Sequence, residues 1–118
     1  MDAIEILKEI KKSREKYFEN YLSYARKIKK ICEKLLKDKN LKAIIFGSII
    51  DESYHVMLSD IDMLVISENI PRKAKERAEI LSKIDSMIGS FNPFEIHLIT
   101  PKEYENWYKK FIDKCIEI

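Results

Sequence analysis

The sequence predicts an α/β (α+β) chain: a small mixed three-stranded sheet flanked by helices and led in by a long N-terminal helix. Three observations carry that prediction. Residues 2–38 contain neither Gly nor Pro and bring apolar side chains round at three- and four-residue steps. Three short apolar runs, 41–46, 61–66 and 94–99, have strand length and are bounded by turn-forming residues. Amphipathic helical stretches follow the second and third runs.

In the N-terminal segment Leu7, Ile10, Tyr17, Tyr21, Tyr24, Ile28, Ile31 and Leu35 make one stripe, interrupted only by Arg14. One long helix over 1–38, or a helical hairpin broken near residues 20–23, satisfies the spacing. A continuous helix would be about 55 Å long, whereas the remaining residues suit a globule about 30 Å across. Its N-terminal half therefore folds back or finds a partner. Tyr17, Phe18, Tyr21 and Tyr24 are aromatic anchors of the kind enriched at interfaces, so the expectation is a homo-oligomer, a dimer, formed through this helix.

The first strand, 41–46, ends at Gly47, and the second, 61–66, opens after Ser59-Asp60. Residues 71–88 read as a helix opened by Pro71 and closed by Gly89. The strand 94–99 is followed by Thr100-Pro101-Lys102-Glu103, a capping box that starts a helix running to about Cys115, with Tyr104, Trp107, Tyr108 and Phe111 inward. A strand–helix–strand connection predicts parallel pairing of the second and third strands. The first two are expected to run antiparallel. All 118 residues are expected to form one domain: N-terminal helix 1–38, core 41–99 and C-terminal helix 100–116.

Composition narrows the function classes. A 46% hydrophobic content with two Gly and three Pro suits an ordered chain. No 18-residue uncharged run is available to span a bilayer, and residues 1–12 lack a signal peptide's apolar centre, so a cytoplasmic location without membrane contact is expected. Cys32 and Cys115 have neither zinc nor disulfide spacing and read as packing residues. The net charge of +2 divides unevenly. Residues 1–42 hold thirteen Lys/Arg against seven Asp/Glu, and 43–118 nine against thirteen. The basic first third reads as a solvated helix face beside a carboxylate-rich site, and nucleic acid is not specifically indicated.

The carboxylates supply the chemistry. Asp60 and Asp62 stand two residues apart, on one face of the second strand and about 6–7 Å apart at their bases. That suits a pair of divalent ions. Glu95 and His97 share one face of the third strand, which parallel pairing lays alongside the aspartates. Three converging carboxylates require neutralisation, and Mg²⁺ accepts a few hard oxygen ligands backed by phosphates. Gly47 permits a turn that Cβ would block, and Ser48 offers a hydroxyl and an N–H to phosphate. His97 reads as a hydrogen-bonded structural residue, with metal neighbour or acceptor-side base the competing roles. Arg72 and Lys73 read as a solvated helix terminus.

Gly47-Ser48 followed by Ser59-Asp60-Ile61-Asp62-Met63-Leu64-Val65 resembles the Gly-Ser…Asp-x-Asp signature of the polymerase β nucleotidyltransferase superfamily, in particular its small minimal (MNT-type) members. The resemblance covers about residues 41–99. It implies the nucleotidyltransferase fold and transfer of a nucleotidyl group from an NTP, ATP being the expected one, to a hydroxyl acceptor. Two Mg²⁺ would be held by Asp60, Asp62 and Glu95, and the nucleotide phosphates by Gly47 and Ser48. It also implies a protein partner, a HEPN-domain toxin in a toxin-antitoxin pair. The loop after Gly-Ser departs from the pattern: Asp51, Glu52 and apolar residues stand where a triphosphate attracts cations. That departure supports the alternative of a non-catalytic binding module with the same fold. A metal-dependent nuclease fits less well, since cleavage leaves the Gly-Ser turn unexplained.

Overall fold

In the computed structural model, which describes residues 1–118, the N-terminal segment is two helices, α1 (Ala3–Glu19) and α2 (Tyr21–Leu36). Asn20 makes the break. Its side-chain amide donates to Lys16 O at 2.9 Å, where its own backbone N–H also bonds, and its backbone leaves the helical region. The second half of α1 is fastened to the domain: Phe18 is buried, and the Tyr17 hydroxyl donates to Ile88 O at 2.6 Å. The first thirteen residues are exposed.

The remaining elements are β1 (Lys42–Phe46), α3 (Ser48–Asp51), β2 (Ile61–Ile66), α4 (Ala74–Ile88), β3 (Phe94–Ile99), α5 (Pro101–Asn106) and β4 (Cys115–Glu117). The sheet order is β3-β2-β1-β4. As expected, β2 and β3 are parallel and β1 and β2 antiparallel. Alternation along the strands divides the core. Ala43, Ile45, Ile61, Met63 and Val65 meet α2 and α4 through Ala25, Ile28, Cys32, Ile84 and Ile88. Ile44, Leu64, Ile66 and Ile99 form the second face, covered by Phe46, Tyr104, Tyr108 and Ile112. Each fully buried Ile, Leu or Val contributes about 1.5–3 kcal/mol, so the two covered faces fix the register on which the site depends.

Several expectations are corrected. The sheet has four strands rather than three, because the C-terminus pairs antiparallel with β1, Phe46 opposite Cys115, and Ile118 N donates to Ala43 O at 2.9 Å. An uncovered β1 edge would leave those backbone groups unpaired. The capping box at Thr100 forms, yet α5 ends at Asn106 and a 3₁₀ turn, Tyr108–Lys110, redirects the chain toward β1. Tyr104 and Tyr108 pack on the sheet as expected, but Trp107 and Phe111 are exposed. α4 starts at Ala74 rather than Pro71, since Ile70 is buried and Pro71 O accepts from Arg77 Nε at 2.6 Å, holding that turn outside the helix. Cys115 is exposed in β4, whereas Cys32 is buried and its thiol is pushed up to about 12 by burial and then by Glu33.

Candidate active site

Strand register assembles the site at one end of the second sheet face. Parallel pairing sets Asp62 opposite Glu95 and Leu64 opposite His97, while antiparallel pairing sets Phe46 opposite Asp62. Gly47 follows Phe46 directly, so the chain turns out of β1 against the Asp62 carboxylate. Gly47 has φ +84°, and a Cβ there would overlap Asp62 Oδ2 and lie 3.1 Å from its Cγ. This glycine thus serves close approach as well as the turn. Ser48 begins α3 beside it, half-buried, and its carbonyl accepts from Ser53 N.

Asp62, Glu95 and His97 each offer a ligand atom within 4.8 Å of the others. His97 Nε2 stands 3.6 Å from Glu95 Oε1, and its ring lies between those of Phe46 and Tyr108, 6.4 and 5.9 Å away. Asp60, exposed just before β2, lies outside this cluster. Its charge nevertheless reaches Asp62. Burial pushes the Asp62 carboxyl up to about 6, helped by the Glu95 charge, a hydrogen bond with Glu95 and the Asp60 charge, while His97 acts in the opposite direction. No lysine or arginine pairs with Asp60, Asp62 or Glu95. The cluster is short of positive charge, and its donors, together with the space cleared at Gly47, fit a divalent cation.

The segment leading into Asp60 is held by α1. Arg14 donates through Nε to Val56 O and through a terminal N–H to Ser59 O, both at 2.5 Å, and Phe18 stacks on Tyr54 with centroids 4.8 Å apart. His55 serves the same loop: its N–H donates to Ser59 Oγ, and its Nδ1 accepts from Met57 N. Arg14, legible in sequence only as the interruption of an apolar stripe, is therefore a positioning residue. Arg72 and Lys73 are exposed beyond the far end of β2, away from the carboxylates, as a solvated helix terminus should be.

Residues 25–114 match the family model described as the nucleotidyltransferase domain, a match that starts inside α2 and leaves α1 outside it. Among solved structures, the chain is similar to a crystal structure assigned provisionally as a nucleotidyltransferase. The two are 29% identical with a TM-score of 0.61, over 79% of this chain and 95% of that one. A second, from Sulfolobus solfataricus and also provisionally assigned, is 17% identical with a TM-score of 0.46, over 81% of this chain and 83% of that one. No curated protein matches the sequence.

Proposed function

The chain belongs to the nucleotidyltransferase domain family, and we propose that it transfers a nucleotidyl group from an NTP, with ATP the expected donor, to a hydroxyl acceptor in a Mg²⁺-dependent reaction. The observation that carries this reading is the register pairing of Asp62 with Glu95 directly beneath the Gly47 turn. In it Asp60, Asp62 and Glu95 hold two Mg²⁺, and Gly47 and Ser48 hold the nucleotide phosphates. The bound metal supplies charge neutralisation for the triphosphate and a lowered pKa for the attacking hydroxyl. Glu95 takes the acceptor proton, and pyrophosphate leaves as the hydroxyl oxygen attaches to the α-phosphorus. The protein's own contribution is positioning and a preformed electrostatic frame.

The acceptor assigned in this reading is a hydroxyl on a protein partner, a HEPN-domain toxin, which makes the chain the antitoxin of a toxin-antitoxin pair. Its support is the likeness of the Gly47-Ser48 and Asp60-Ile61-Asp62 motifs to minimal nucleotidyltransferases. Self-association through α1 belongs to the same reading. Incubation with ATP labelled at the α-phosphate, Mg²⁺ and a HEPN protein should transfer label in the wild type and not in Asp60→Ala/Asp62→Ala. Nucleotide binding without transfer would replace this reading with a binding module. Digestion of RNA or DNA would replace it with a nuclease.

A further inference from the structure

The carboxylates at the ends of β2 and β3 have a nitrogen neighbour that an oxygen-only magnesium site does not require. His97 sits two residues after Glu95 on β3, so strand alternation brings it to the same face. Its ligand atom falls within 4.8 Å of those of both Asp62 and Glu95, a group that Asp60 does not join. The histidine side chain is half-buried, packed between Phe46 and Tyr108, which limits the directions its ring can take.

A structural histidine in this place needs a hydrogen bond to hold it. The approach of Nε2 to Glu95 Oε1, at 3.6 Å, is beyond hydrogen-bond distance. It is, however, compatible with two donors facing a common ion. First-row ions have donor distances near 2.0–2.2 Å, so neighbouring ligands stand about 3 Å apart, and small side-chain rotations close the remaining gap.

From this placement we propose that His97 is a metal ligand alongside Asp62 and Glu95, and that its nitrogen makes the site prefer Mn²⁺ to Mg²⁺. The proposal rests on the metal site invoked for nucleotidyl transfer and names the ion class that this site selects. Mg²⁺ favours hard oxygen and gains little from imidazole, whereas first-row transition ions accept it readily. Gly47 contributes by leaving room for Asp62 Oδ2 to turn toward the ion rather than toward a side chain at position 47.

The test uses the full chain stripped of metal, without nucleotide or acceptor. Mn²⁺ and Mg²⁺ are titrated separately by calorimetry into wild type, His97→Ala and His97→Gln, and pulsed electron paramagnetic resonance of the Mn²⁺ complex reads ligand nitrogen directly. We expect nitrogen coupling in the wild type and none in either variant. Mn²⁺ affinity should fall about tenfold or more, on the scale of losing a metal-site partner, while Mg²⁺ affinity changes less than about threefold, as oxygen preference dictates. Circular dichroism checks that both variants fold. Absence of nitrogen coupling in folded wild type, or equal losses for the two ions, would overturn the proposal. The two readings fail separately: nitrogen-coupled Mn²⁺ without nucleotidyl transfer removes only the function, and transfer with an oxygen-only ion removes only the role of His97.

Discussion

At the scale of single residues, Asp62 is where fold and chemistry pull in opposite directions. An unfolded aspartate titrates near 4, whereas in the fold Asp62 is pushed up to about 6 by burial, Glu95 and Asp60. The folded state therefore retains a proton that the unfolded chain has released. This group leaves the stability of the metal-free protein unaffected below about pH 4 and lowers it progressively as pH rises from about 4 through 6. The full shift corresponds to about 3 kcal/mol, but the side chain is only partly buried, and solvent screening leaves about 1 kcal/mol. In EDTA, Asp62→Asn should melt several degrees above wild type at pH 8 and level with it at pH 4. Equal melting temperatures at both pH values would show that the carboxylate is not strained. This strain was only half legible in the sequence. Asp-x-Asp and a glutamate on the next strand announce a crowded site, but which aspartate is crowded depends on the parallel register, which places Asp62 and not Asp60 against Glu95.

At the scale of elements, α1 and the segment 48–59, which begins with α3, act together. The acidic composition of this segment points away from phosphate binding. In the structure it is braced from outside by Arg14, Phe18 and an internal turn built on His55. Arg14→Met keeps the hydrocarbon stem and removes both bonds to Val56 O and Ser59 O. Since hydrogen bonds from charged groups contribute about 1.5–3 kcal/mol each and these are only part-buried, a combined loss of about 1–2 kcal/mol is expected. Amide exchange at residues 53–60 should accelerate while the β2 amides stay protected; unchanged exchange at the loop would count against this role of α1. The strands, their directions and the alternation that brings Glu95 beside His97 were readable from period and punctuation. β4 was not, because Cys115, Ile116 and Glu117 are too few to show a period and gain their meaning from the β1 edge. The end of α5 was hidden for a related reason. Trp107 and Phe111 continue a helical spacing that the chain abandons in order to reach that edge.

At the scale of the molecule, the dimensions of 46 × 29 × 23 Å exceed the 30 Å globule along one axis, and the first turns of α1 contribute an unpacked helical face. Met1, Ile4, Ile6, Leu7 and Ile10 lie exposed there, and a groove lined in part by Ile6, Ile10, Arg14 and Phe91 joins this face to the loop before β3. An apolar patch of this kind marks an interaction surface. A second copy of the chain suits it: residues 2–19 carry five acidic and five basic side chains, so two α1 helices meet without net repulsion. Such side chains are worth about 1.5–3 kcal/mol each when fully buried, and in the proposed self-association several from each copy would have to offset association costs of about 4–15 kcal/mol. Light scattering at tens of micromolar should return twice 14.0 kDa for wild type and the single mass for Leu7→Glu/Ile10→Glu, with the same circular dichroism. Both substitutions fall on exposed positions, so the fold should survive them. A wild-type chain that stays at the single mass, or that assembles only with a different protein, would remove the dimer. Because Arg14 ties this helix to the carbonyl of Ser59, one residue before Asp60, a dimer formed here would brace both copies of the loop that leads into the site.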